Sequence, residues 1–175
     1  DWNCCGASTL VSVDKLFATL APARVLALAS EHDRDVVVGC NACYLVLRKT
    51  LEDYRGDETL RNKVDEGLAE IDRELNPEIR VRHLLNVVVE DLGTEAVENM
   101  VTNPLGNMRF APYYGCQIAR PYGPNNPTHM EDLIEALDGD AVEFYSKTRC
   151  CGSSLLASLK LEGLELARSI LADAA

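Results

Sequence analysis

Asn3-Cys4-Cys5-Gly6 returns near the other end of the chain as Arg149-Cys150-Cys151-Gly152, and the rest of the sequence is read outward from this repetition. Small and hydroxylated residues follow both copies, Ala7-Ser8-Thr9 in one and Ser153-Ser154 in the other. An apolar pattern of helical period comes next in each. Adjacent cysteines are too constrained to bond one another easily, so a doubled Cys-Cys-Gly calls for another partner. Cys40-Asn41-Ala42-Cys43 supplies a CxxC pair after the intervening residues 7–39, and Cys116 precedes Cys150 by an equal gap, residues 117–149. All 7 cysteines fall into this scheme.

Taken in order, Leu10, Val13, Leu16, Phe17 and Leu20 have helical spacing. Pro22 is expected to open a second helix over residues 23–30. Residues 35–39, a β-branched run ending in Gly39, read as a buried strand. The CxxC lies at its carboxyl end and opens a helix over residues 42–53, the usual place for a site in an open α/β fold. Leu60, Val64, Leu68, Ile71 and Leu75 mark an amphipathic helix stopped by Asn76-Pro77. Residues 81–91 read as helical, with Gly93 as the stop. Asn103-Pro104-Leu105-Gly106-Asn107 is the expected boundary between halves.

Beyond it, residues 108–114 read as a strand that delivers Cys116. Thr128 with Glu131 has the pattern of a capping box, and Gly139 that of a helix C-cap. Residues 141–145 suggest a short strand and residues 153–171 a final helix. The alternation gives an α/β fold: two pseudo-repeated half-modules, 1–103 and 104–175, with a parallel or mixed sheet flanked by helices. The first copy lacks an opening lone cysteine and the second a closing CxxC. With Asp1 in place of a methionine, this leads us to expect a piece of a longer protein.

The 175 residues carry a net charge of −11 with no basic stripe, which argues against binding nucleic acid or an anionic membrane surface. No run of 18 apolar residues is long enough to span a bilayer. Cysteines without a secretion signal point to metal or redox chemistry in a reducing compartment, with the cytoplasm as the expected location.

An iron–sulfur cluster takes about four thiolates converging from separate loops. A helix beginning after Cys-Cys-Gly turns its positive end toward those sulfurs. Gly6 and Gly152 let the backbone turn there without a clashing Cβ, and adjacent cysteines can bridge neighbouring metal ions. A zinc site built from Cys4, Cys5, Cys40 and Cys43 is the alternative, although zinc motifs seldom use adjacent cysteines. His32 reads as solvated, His129 as a surface residue of a helix first turn, and His83 as packed within a helix. There is no nucleophile–base triad, P-loop or dinucleotide fingerprint.

These residues resemble the cysteine-rich CCG-domain family, and in particular the B subunits of the CoB–CoM heterodisulfide reductases. The matching pieces are Trp2-Asn3-Cys4-Cys5-Gly6, Cys40-Asn41-Ala42-Cys43-Tyr44, Tyr114-Gly115-Cys116-Gln117 with Arg120-Pro121, and Lys147-Thr148-Arg149-Cys150-Cys151-Gly152. The resemblance implies noncubane 4Fe-4S clusters, two in an intact protein of this kind. Cys4, Cys5, Cys40 and Cys43 would serve the first, and Cys116, Cys150 and Cys151 the second. Cys4, Cys5, Cys150 and Cys151 would sit at the catalytic centres. The implied substrate is CoM-S-S-CoB, the disulfide of methanogenesis. The implied partners are the separate iron–sulfur and flavin subunits of the reductase complex. Relatives in lactate, glycolate and glycerol-3-phosphate oxidising complexes supply the alternative, an electron-transfer subunit that binds no disulfide.

Overall fold

Val36–Val38 forms strand β1, and the chain turns from it through Gly39 into helix α2, Asn41–Gly56, with Cys40 as N-cap. The computed structural model describes residues 2–7 and 10–175. Ser8 and Thr9 of the first copy lie outside the described residues. The chain divides into two compact units, Asp1–Leu84 and Leu85–Ala175.

In the first unit a 3₁₀ turn, Leu10–Ser12, precedes helix α1, Lys15–Ser30. Asp14 caps α1, its Oδ1 accepting from the Phe17 N–H at 2.7 Å. The expected break at Pro22 does not occur, and one helix runs through it. An interior proline costs ~3 kcal/mol. Here it lies among good helix formers, Ala18, Ala21 and Ala23, and Pro22 itself is buried with Ala23, Leu26 and Ala27. Helices α2 and α3, Glu58–Ala69, pack on α1 and on each other around Leu26, Leu47, Leu51, Val64 and Leu68. The Tyr54 hydroxyl donates to Asp65 at 2.7 Å, tying α2 to α3.

Residues 81–83, expected to begin a helix, form strand β2, Val81–His83. It pairs parallel with β1 in the register Val36↔Val81, Val37↔Arg82, Val38↔His83. Val81 and His83 point inward and Arg82 outward, a period of two hidden in the sequence by the apolar run that follows. His83 meets the Tyr44 ring edge-on with centroids 5.7 Å apart. Burial holds its pKa below the ordinary value.

The units part within the single turn α4, Leu84–Asn86, which runs into a π-helix, Val87–Leu92. Helix α5, Thr94–Met100, packs on α7, His129–Ala136. The stretch Asn103–Asn107 lies in the second unit. Its Leu105 and Asn107 N–H groups donate to the carbonyls of Leu137 and Asp138 at the end of α7, at 2.8 and 3.0 Å. The expected long strand is β3, Arg109–Phe110, paired parallel with β4, Asp140–Ala141. Cys116 lies in the short helix α6, Gly115–Ala119.

Residues 145–148 form a 3₁₀ turn rather than the end of a strand. After Gly152 a second 3₁₀ turn, Ser153–Leu155, leads to helix α8, Lys160–Ala174. The expected helix over residues 153–171 is thus split. At α7 the C-terminal left-handed position falls to Asp138, with φ 62°, one residue before Gly139. The result is a mixed α/β fold with two short parallel sheets.

Candidate functional site

Both Cys-Cys-Gly turns have one local geometry. The Gly6 N–H approaches the Cys4 sulfur at 3.4 Å, and the Gly152 N–H the Cys150 sulfur at 3.5 Å. Gly6 and Gly152 hold φ values of 81° and 74°, a left-handed conformation costly for any residue with a Cβ. Each turn is followed by a 3₁₀ turn and then a long helix, α1 in one unit and α8 in the other. The repetition seen in sequence thus extends to the left-handed glycine of each turn and to the order of elements that follows it.

In the first unit Asn3 anchors the turn. Its side-chain amide donates to the Cys4 and Ala21 carbonyls, both at 2.9 Å, and its oxygen accepts from Arg24 at 2.7 Å. Ala21 and Arg24 belong to α1, so the helix that follows the motif also fixes it. Cys5 is buried, and its sulfur lies 3.1 Å from that of Cys43 in the first turn of α2. Burial, then the Cys5 thiol and the neighbouring charges, push Cys43 up to about 12. The backbone N–H of Cys43 at the head of α2, aided by Ala42, holds Cys40 below its ordinary value. Two thiols of one CxxC are thus polarised in opposite directions.

Cys5 and Cys43 open onto a cavity of about 690 Å³, walled by Val25, Val36, Val38 and Leu47 with Trp2 at its edge. Cys4, on the exposed side of the turn, and Cys40 do not line it. Among the described residues the one carboxylate in the lining, Asp35, is bound by Arg80, whose side chain holds it below the usual carboxylate range. His32 reaches the cavity as an exposed residue, and His83 stays in the core.

The second unit gathers Cys116, Cys150 and Cys151. Burial and then the Cys150 charge raise the Cys116 thiol, while the hydrogen bond from the Ser153 side chain lowers Cys151. Tyr113 joins this group, a residue the sequence analysis passed over. Its hydroxyl donates to the Arg149 carbonyl at 2.6 Å, and burial together with Cys151 lifts its pKa. The segment that carries Cys150 is strapped to the one carrying Cys116. The Tyr114 N–H donates to the Lys147 carbonyl at 2.9 Å and Arg120 to the Thr148 carbonyl at 3.0 Å.

Beneath the strap, Lys147 is buried and donates to Glu131 at 2.7 Å and to the Pro127 carbonyl at 3.0 Å. Glu131 also accepts from the Tyr114 hydroxyl. The expected capping box is therefore not made: Glu131 is drawn into this buried pair, and Thr128 makes no cap bond. His129 is half-buried with Asn86 at 3.3 Å, rather than a free surface residue.

Residues 1–48 and 110–174 match the model of the cysteine-rich CCG domain. The chain belongs to this family. The matched segments contain every cysteine and both Cys-Cys-Gly turns. A relative, the 8-methylmenaquinol:fumarate reductase membrane anchor subunit of Wolinella succinogenes, is 29% identical over 99% of this chain and 62% of that protein. The B subunit of the ferredoxin:CoB–CoM heterodisulfide reductase of Methanosarcina mazei is 27% identical over 86% of this chain and 52% of its own length. A protein of Archaeoglobus profundus that is like the heterodisulfide reductase B subunit is 29% identical over 89% of this chain and 55% of that protein. The CCG chain thus spans roughly half to three-fifths of these relatives. Its fold is similar to the crystal structure of a hypothetical protein from Helicobacter pylori, with TM-score 0.65 and 16% identity over 94% of this chain and 30% of that one.

Among the described residues no three His, Cys, Asp or Glu side chains are set to hold one metal ion. The donor chemistry is nevertheless uniform. Both groups are soft thiols beside backbone N–H groups or a helix start, and the carboxylate near the first is already paired. Such donors fit an iron–sulfur group. No described helix is long and apolar enough to cross a membrane.

Proposed function

We propose that this CCG chain is an iron–sulfur subunit of a disulfide reductase, which reduces CoM-S-S-CoB or a similar disulfide to two thiols. The observation that carries the reading is the gathering of thiols in both units: Cys5, Cys40 and Cys43 in one, Cys116, Cys150 and Cys151 in the other. Cys4, at the exposed side of its turn, would complete the first set. The heterodisulfide reductase relatives favour the same chemistry. Noncubane 4Fe-4S clusters, two in the intact protein, supply one-electron chemistry at thiolate-bound iron when present.

The chain's own residues prepare the sulfurs. Gly6 and Gly152 turn backbone N–H groups toward the sulfurs of Cys4 and Cys150. Asn3 and Arg24 fix the first turn to α1, and the Tyr114–Lys147 backbone bond fixes the second to the Cys116 segment. Val25, Val36 and Val38 set an apolar wall beside Cys5 and Cys43. In the second unit the hydroxyl of Tyr113 keeps its proton beside Cys151.

Residues 1–103 and 104–175 are the proposed half-modules of the sequence repeat. Separate iron–sulfur and flavin subunits are the proposed partners, and the cytoplasm the proposed location. The test is anaerobic iron and sulfide analysis of the intact protein, with electron paramagnetic resonance and turnover of a disulfide by a reduced dye. Cys5→Ser and Cys151→Ser should each remove one cluster signal. Zinc in place of iron and sulfide would overturn the reading. The fumarate reductase relative, matched over nearly the whole chain, favours a second reading. In that case the clusters serve electron transfer in a quinol, hydroxyacid or sulfur-metabolising complex, and clusters form without disulfide turnover.

A further inference from the structure

The sequence presents Cys40 and Cys43 as a pair, yet the structure places Cys43 against Cys5. Their sulfurs are 3.1 Å apart, inside the wall of the 690 Å³ cavity. A disulfide bond is about 2.05 Å long, so closure takes only ~1 Å of movement. Both partners are held for it. Cys5 is fixed by the turn that Asn3 binds to α1, and Cys43 by the helical backbone of α2. Cys40 also interacts with Cys43, but it is exposed at the N-cap and lies outside the cavity lining.

We propose that Cys5 and Cys43 form a dithiol–disulfide couple, which small disulfides entering the cavity oxidise when no cluster is bound. The proposal concerns the metal-free chain and does not rest on the reading of its substrate. One of the two thiolates attacks a sulfur of the small disulfide RS–SR, giving a mixed disulfide and releasing one RS⁻. The second cysteine then attacks the protein sulfur of that mixed disulfide, forming the Cys5–Cys43 bond and releasing the other RS⁻. Two electrons pass from the cysteines to RS–SR, and the two thiol protons leave with the RS groups. The cross-link occupies two of the thiols that a metal group would need. Loading of the first unit then requires prior reduction.

The experiment uses the whole chain, stripped of metal under reductant and then treated with hydroxyethyl disulfide. Remaining thiols are alkylated, and the peptides are mapped without reduction. A Cys5–Cys43 link should dominate over Cys40–Cys43 by about tenfold, as expected for a pre-aligned pair. Cys40→Ser should leave the link intact. Cys5→Ser, with its helical spectrum checked for folding, should instead retain the mixed disulfide or divert to Cys40–Cys43. Iron uptake by the oxidised chain should fall by the share of the first unit and return with dithiothreitol. A dominant Cys40–Cys43 link in the unsubstituted chain would overturn the proposal. So would stable mixed disulfides on both Cys5 and Cys43.

Discussion

Cys40 and Cys43 show how far one motif can be split by its surroundings. The head of α2 lowers one thiol, while burial beside Cys5 pushes the other up to about 12. The metal-free protein should therefore alkylate at Cys40 before Cys43 at pH 7, by about tenfold or more, as thiolate character dictates. Mass spectrometry of partially labelled peptides measures the order. The raised Cys43 value also fixes a pH window. Its protonated form is favoured by the fold, so this stabilisation is present below the ordinary 9.0 and is lost as pH climbs toward about 12. Cys43→Ser should flatten that alkaline slope in urea titrations. All seven cysteines were legible in the sequence as one scheme. Their polarity was not, because it depends on which sulfur Cys5 meets, a tertiary fact.

At the scale of elements, the strand before the CxxC and the helix it opens were readable from Val36-Val37-Val38 and the spacing beyond. Strand β2 was not, since its three residues run directly into Leu84-Leu85 and share no turn signal with them. Helix α7 gives the clearest lesson. Thr128 and Glu131 have the right spacing for a box, but the buried Lys147 ammonium competes for the same carboxylate and wins. Removing the partner of a buried charge costs about 3–5 kcal/mol. Glu131→Gln should accordingly lower the stability of the second unit by that order in urea unfolding. Glu131→Gln combined with Lys147→Met should lose less than the sum of the two single changes. Equal, additive losses would mean that the pair is not coupled.

For the whole molecule, composition and strand–helix alternation identified an α/β chain, while the point after Leu84 where the compact units divide carries no local sign in the sequence. Asn103-Pro104 has every local sign of a linker. Backbone bonds from Leu105 and Asn107 to the end of α7 bring it inside the second unit, and those partners lie over thirty residues away in sequence. The net charge of −11 has a consequence at this scale. Self-repulsion opposes the folded state and is screened by salt. Melting temperature should rise as sodium chloride is raised from low concentration to about 0.5 M, where the Debye length is only a few ångströms. A fall over that range would show that exposed ion pairs such as Arg80–Asp35 outweigh the repulsion.

The two Cys-Cys-Gly turns look alike, but they are not equally free to yield. A Cβ added at Gly6 would press on the side chain of Leu10, which can swing aside. One added at Gly152 would lie 2.8 Å from the Gly163 Cα and 2.9 Å from its carbonyl oxygen, against the main chain of α8. Neither glycine of that pair has a side chain to give way, so turn and helix bear on each other as two hard surfaces. The first turn is sprung and the second is seated. Gly163→Ala should therefore disturb Cys150 and Cys151 from across the contact, although it is a favourable helix substitution by propensity. Thiol labelling rates at the second cysteine group would register this, with the first group unchanged. In engineering terms, the first turn offers the chain's adjustable sulfur site, and the second sets its tolerance.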